Sequence, residues 1–376
     1  MEIQPFKLER YFAQYEFKVR FLLSPSDCES LALGELLEMA DTECRALWED
    51  LHLSYTESLG HPKLRAEIAR LYETVIPEQV LVAVPEEIIF LLMNSLLQPG
   101  DEVITLYPAY QSLYEIARSL GCKTLPWNIN PSPKGWQLDL DWLSDHINTR
   151  TRLVVVNFPH NPTGFLPTSD ELQTIVNLTA RHGVHLFCDE MYRGLEYNPA
   201  RRIPSAVDLY ERASVLGGLS KTYALPGLRI GWLATKDANL FLSIHHLKDY
   251  TTICHSAPSE ILGIITLRNG VAIIQRSLDI IRTNLGAAET FFSKYPNLFE
   301  WLPPQAGSIA FSRYLGPGSV ENLCQNALEQ QGVMIVPGSL FDYPGNYFRV
   351  GLGRKNFNQA LNQFDKMLQI YQFYQA

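Results

Sequence analysis

Between residues 102 and 235 the chain alternates short apolar runs with amphipathic stretches, and that rhythm constrains the fold more than any other feature. The runs at 102–106, 153–158, 184–189, 214–217 and 230–235 are rich in Val, Ile and Leu, as strands covered on both faces are. Helical patterns lie around them at 61–72, 86–97 and 110–120; the first carries Leu64, Ile68 and Leu71 at helical spacing. Thr168 and Glu171 form a capping-box pattern that opens a helix running to about His182, with Gly183 as its stop. Strand–helix–strand alternation predicts an α/β fold, with a mostly parallel sheet and helices on both faces.

After residue 237 the rhythm changes. Long helices are predicted at 239–250 and 258–276, short strands at 308–312, 333–336 and 347–351, and helices at 319–331 and 356–374. This reads as a second, smaller α+β unit joined by the N-terminal segment. The expected division is a large domain at 46–265 and a small domain from 1–45 and 266–376. No repeat of solenoid length is present.

Composition narrows the function classes. At 46% hydrophobic and 19% charged residues, the chain can bury a large core. Its net charge of −9 opposes nonspecific nucleic-acid binding. The six cysteines are scattered without a CxxC pair, so neither a zinc cluster nor a disulfide framework is expected, and a reduced, cytoplasmic setting fits. The first residues lack the basic-then-apolar pattern of a leader. The apolar stretch at 88–97, interrupted by Asn94 and Ser95, is too short to span a bilayer.

The site candidates follow the predicted strands, where open α/β sheets place ligands. The loop 157–164 reads NFPHNPTG; its prolines and glycine fix a rigid turn that holds Asn161 at the sheet edge, either as a donor or simply as part of a connection. Asp189 directly follows a strand and could pair with a buried cation or cap the next helix. Ser220 and Lys221 follow another strand and a Gly-rich turn, with Arg229 eight residues beyond Lys221. An enclosed Lys loses its charge more easily and becomes a nucleophile toward carbonyls.

The order and spacing of these motifs resemble the fold-type I pyridoxal-phosphate aminotransferases of classes I and II. The shared pattern is NPTG, Asp-x-x-Tyr 28 residues on from Asn161, Ser-Lys 32 further and Arg eight further. The likeness begins at YTESLGHPKLR (55–65) and runs to FRVG (348–351). It implies a seven-stranded, mostly parallel sheet in the large domain, pyridoxal phosphate as cofactor, an amino acid and a 2-oxo acid as substrates, and a homodimer with shared active sites. Lys221 would form the internal Schiff base and then move the substrate proton. Asp189 would face the pyridine nitrogen, and Asn161 and Tyr192 its phenolic oxygen. Tyr110 would stack on the ring. Ser220 and Arg229 would hold the phosphate, and Tyr55 would reach the phosphate of the neighbouring subunit. Arg349 would grip the substrate carboxylate, with Arg354 as the competing candidate, and the Gly34 backbone would approach it.

Two departures from that pattern stand out. Gly218 replaces a small hydroxyl residue two before Ser220, so one phosphate ligand is missing. The phosphate cup reads Val84-Pro85-Glu86-Glu87 in place of a Gly-centred turn. Pro85 has no N–H to give, so the Glu86 and Glu87 N–H groups are expected to face the phosphate with their side chains turned away. His160 is expected on the loop surface, and His245 and His246 on different helix faces, with no metal site. The alternative on the same scaffold is a lyase, cyclase or decarboxylase; a non-catalytic ligand-binding relative is the remote one.

Overall fold

The computed structural model describes residues 2–132 and 135–373. Seven strands form the main sheet: β1 (Val80–Ala83), β2 (Glu102–Tyr107), β3 (Lys123–Asn128), β4 (Thr151–Asn157), β5 (His185–Asp189), β6 (Ala213–Gly218) and β7 (Gly231–Thr235). Their order is β1-β7-β6-β5-β4-β2-β3, and β7 alone runs against its neighbours. Alternation along each strand feeds two cores. Val154, Val156, Leu186 and Cys188 face one core, while Leu153, Val155 and Phe187 face the other. This is the period-2 geometry of a sheet buried on both sides.

All five predicted strands are present. The two missed ones have weak signals: β3 is a half-exposed edge strand interrupted by Pro126, and β1 has only four residues. Helix α1 spans Lys7–Tyr15, α2 Pro85–Leu96, α3 Ser112–Ser119 and α4 Ser169–His182. In α4, Thr168 Oγ1 accepts from the Glu171 N–H at 3.2 Å, Glu171 accepts from the Thr168 N–H at 2.7 Å, and Gly183 closes the helix at φ 64°.

The helix predicted at 258–276 is instead two helices, α5 (Ala257–Arg268) and α6 (Gly270–Ser293), bent by 78°. Asn269 leaves helical geometry between them and donates its amide to Met39 O at 3.1 Å and Ile265 O at 2.8 Å. The predicted strand at 333–336 is likewise two, Val333–Met334 and Val336–Pro337, which join different sheets. Phe21–Leu22 pairs with the first, tying the N-terminal segment to the C-terminal unit. The second joins an antiparallel sheet with Ile309–Tyr314 and Tyr347–Gly351. The last helix, Phe357–Phe373, follows the predicted one; its expected end, Tyr374, lies outside the described residues. Among the described residues no single helix is long and apolar enough to cross a membrane.

Candidate active site

Strand direction assembles the site. The carboxyl ends of β1, β2, β4, β5 and β6 lie on one edge of the sheet, and β7, running the other way, starts there. Tyr110, Asn161, Asp189, Ser220, Lys221 and Arg229 follow or end these strands, and all line one cavity of about 910 Å³.

Asp189 and Lys221 dominate its electrostatics. Asp189 ends β5 at 8% exposure and accepts from the Met191 N–H at 3.0 Å. Burial pushes its carboxyl up to about 7, against the pull of the Met191 N–H and the Lys221 charge. A turn, not a helix, follows Asp189, so it caps none; its neighbour Glu190 accepts from Ser205 Oγ at 2.8 Å and the Ala206 N–H at 3.0 Å. Lys221 Nζ donates to Ser26 Oγ at 2.9 Å, and burial lowers its pKa. Ser220 Oγ is buried with no hydrogen-bond partner among the described residues.

Asn161 links the cavity to Arg349. Arg349 is 1% exposed; its guanidinium donates to Asn161 Oδ1 at 3.3 Å and Ser24 O at 2.9 Å, and its Nε has no partner among the described residues. It has no carboxylate partner among the described residues, so its buried charge is costly and an incoming anion would relieve that cost. Arg354, unlike Arg349, is among the residues lining the cavity, but its guanidinium is taken by Asp27 at 2.7 Å. Tyr192 Oη donates to Ser26 O at 2.9 Å, and Tyr110 Oη donates to Glu9 Oε1 at 2.7 Å.

The cup at the start of α2 is half as expected. The Glu87 carboxylate is turned away and held by the Thr251 and Thr252 hydroxyls. Glu86 is a correction: its side chain lines the cavity beside Tyr110 and Ser112, and burial raises its pKa. Gly218 has a packing reason. A Cβ there would stand 2.9 Å from Met191 Sδ, so Met191, itself a lining residue, fills the space a hydroxyl side chain would take. Gly231 likewise admits the Pro85 ring, which a Cβ would meet at 2.8 Å.

Two expected site residues, Gly34 and Tyr55, lie away from the cavity, Arg349 is joined to it only through Asn161, and His160 is not where it was expected. Gly34 is exposed in the short helix Leu33–Glu38, and the chain at Pro25–Asp27 forms that wall instead. Tyr55 stands 87% exposed and away from the lining. His160 is not on the surface: it is 1% exposed, its Nδ1 bonds to Thr163 Oγ1 at 2.8 Å, and burial holds its pKa down at about 3, so it locks the loop as a neutral side chain. The sequence reading missed Glu9, Phe12, Glu16, Ser26 and Asp27, which line the wall built by the N-terminal segment. The one signal was around α1, where Glu9, Phe12 and the C-cap residue Glu16 recur at helical spacing.

The donor set fits pyridoxal phosphate. An orphaned Ser220 hydroxyl, the Glu86 and Glu87 N–H groups at a helix start and Arg229 at the rim suit a phosphate. Asp189 suits a protonated ring nitrogen, and Lys221 suits an aldehyde.

Known proteins resemble this chain in sequence and in fold. Residues 35–362 match the family model for aminotransferase class I and II. The chain is 31% identical over 338 residues to capreomycidine synthase from Streptomyces vinaceus, covering 89% of this chain and 86% of that one. A solved PLP-dependent aminotransferase from Streptococcus suis has a TM-score of 0.91 at 28% identity, with 98% of each chain covered. The PLP-dependent cyclase OrfR has a TM-score of 0.90 at 26% identity, covering 99% of this chain and 98% of its own.

Proposed function

This chain belongs to the class I and II aminotransferases and is a pyridoxal-phosphate-dependent enzyme; we propose that Lys221, Asp189, Asn161 and Arg349 carry its transfer of an amino group from an amino acid to a 2-oxo acid. The observation that carries this assignment is the pairing of Asp189 and Lys221 in one cavity, on the ends of adjacent strands β5 and β6. The cofactor supplies an aldehyde and an electron-withdrawing ring. Asp189 holds a proton on the ring nitrogen, because a cation beside the carboxylate favours its charged form. Lys221 Nζ, poorly solvated, is readily the free amine; it would carry the proton from the donor's Cα to the cofactor's aldehyde-derived carbon in the first half of the cycle, and in the reverse direction for the oxo acid in the second. Arg349 binds the donor carboxylate through its open Nε face. Its bond to Asn161 Oδ1 leaves the Asn161 amide N–H groups to donate toward the ring oxygen. Ser220 Oγ and the Glu86 and Glu87 N–H groups hold the phosphate with Arg229.

The active unit in this reading is a homodimer. Leu53 and Tyr55, each 87% exposed, are supported as the parts a second subunit covers, with Tyr55 reaching that subunit's phosphate. The six unpaired cysteines support a reducing, cytoplasmic setting. Residues 46–265 would form the cofactor-binding domain and 1–45 with 266–376 the smaller one.

The test is stoichiometry. Holoenzyme given amino donors and a 2-oxo acid converts the oxo acid to its amino acid, one for each donor consumed. A second reading, cyclisation or elimination, is favoured by the likeness to a synthase and to a cyclase. It predicts donor consumption with no demand for an oxo acid, and that result would replace transamination.

A further inference from the structure

Lys221 is held from across the cavity. Its Nζ donates to Ser26 Oγ at 2.9 Å, over 195 residues of sequence, and no carboxylate is ion-paired with it among the described residues. Ser26 lines the cavity on the stretch Pro25–Asp27.

The Ser26 backbone is fixed on several sides. Its carbonyl accepts from Tyr192 Oη at 2.9 Å and from Ser308 Oγ at 2.7 Å, which occupies both lone pairs. The flanking chain lies against Gly351, the last residue of the strand that carries Arg349, and against Gly353. The Gly351 N–H donates to Leu23 O at 2.6 Å, and Gly353 O accepts from the Glu29 N–H at 2.8 Å. A Cβ at Gly351 would run into Pro25 O, and one at Gly353 into Asp27 O. Backbone packed this closely presents the Ser26 hydroxyl to Lys221 from a fixed point.

The kind of acceptor matters. A free amine has two N–H groups and one lone pair. An N–H spent on Ser26 steadies the flexible four-carbon stem and leaves the lone pair open. A carboxylate in the same place would favour the ammonium form, which has no lone pair to take a proton. Burial lowers the Lys221 pKa; Asp27 raises it, Arg349 lowers it, Glu9 raises it and Arg229 lowers it. Asp189 and Glu16 feel the same charge. A neutral hydroxyl leaves that balance on the side of the amine.

We propose that Ser26 is a positioning residue for the reaction: its hydroxyl receives the Lys221 amine whenever that amine is free and aims it at the donor's Cα, whatever the donor. The proposal rests on Lys221 being the proton carrier of the functional reading and goes beyond it by naming what holds that carrier.

The first measurement uses cofactor-free protein and no turnover. Modification of Lys221 by trinitrobenzenesulfonate, followed by peptide mapping across pH, reports the free amine. Ser26→Asp should raise the midpoint of labelling by about one pH unit or more, because an adjacent carboxylate favours the charged form. Ser26→Ala should not raise it. The second measurement reads proton abstraction alone. Holoenzyme in D2O, given a mixture of the protein amino acids and no oxo acid, exchanges Cα hydrogen for deuterium, followed by mass spectrometry. Ser26→Ala should slow the fastest exchange by roughly 5- to 10-fold, the worth of one hydrogen bond, although its amine is no less free. Ser26→Thr, which keeps the hydroxyl, should restore most of the rate. Wild-type exchange in Ser26→Ala, an unmoved midpoint in Ser26→Asp, or no recovery in Ser26→Thr would overturn the proposal while leaving the functional reading intact. Exchange that persists in Lys221→Ala would instead sink the functional reading, and the proposal with it.

Discussion

The cavity has two halves built on different principles. Its floor is the strand edge, with Asp189, Ser220, Lys221 and Asn161 fixed at or just beyond buried strand ends. Its N-terminal wall is α1 and the stretch Pro25–Asp27, half-buried and fastened by side chains: Tyr110 to Glu9, Tyr192 to Ser26 O, Arg354 to Asp27. The floor carries groups any substrate of this chemistry needs. Ser26 aside, the wall carries groups that only some substrates could use. Rigid sheet ends suit reactive groups, whose placement must hold to fractions of an ångström, while a side-chain-tied helix can vary without disturbing them.

Substitutions separate the two halves, beginning with the largest effect. Lys221→Ala should lower kcat by roughly 10³-fold or more for every donor, since no other lining amine can replace Nζ as the proton carrier. Single-turnover kinetics would measure this, and a loss confined to one donor class would break the division. Asp189→Asn should cost about 10- to 100-fold in kcat/KM, again for all donors, by removing a charge-assisted bond to the ring.

Arg349→Lys marks the seam between floor and wall. It should raise KM about tenfold or more while changing kcat less, because a point charge cannot replace a planar fork on a carboxylate. Phe12→Ala, a change to the wall alone, should raise KM by several-fold without altering the cofactor's absorbance; an altered absorbance would mean that wall and floor are not independent.

The smallest effect is on stability of the cofactor-free protein. Asp189 has its folded pKa raised from 3.8 to about 7, so its contribution is fully present below about pH 4 and is lost as pH rises toward 7. Wild-type protein should therefore lose melting temperature between about pH 4 and 7, and no further above that, relative to Asp189→Asn, which does not titrate. Parallel melting curves for the two proteins across that range would contradict the burial assigned to Asp189.

Much of the floor was legible because strands and turns announce themselves locally. The Val- and Ile-rich runs located five strands, and the motifs after them located the reacting groups. Edge strand β3 escaped because one face of it meets water and Pro126 interrupts it. The break at Asn269 escaped because the flanking segments share one helical pattern. His160 was misplaced because a loop reads as surface, yet this loop is packed beneath the site.

By itself, the amino-acid order determined which side chains stand at the strand ends, since period-2 burial and turn residues act over a few positions. Only the tertiary structure decided that Glu9 meets Tyr110, 101 residues away, that Arg349 meets Asn161, 188 residues away, and that the Glu86 carboxylate meets Ser112 and Tyr110 while Glu87 meets Thr251 and Thr252. A carboxylate on a short helix looks the same in sequence whether it faces water or a ligand. What distinguishes the two is the packing of distant segments around it, which no local pattern encodes.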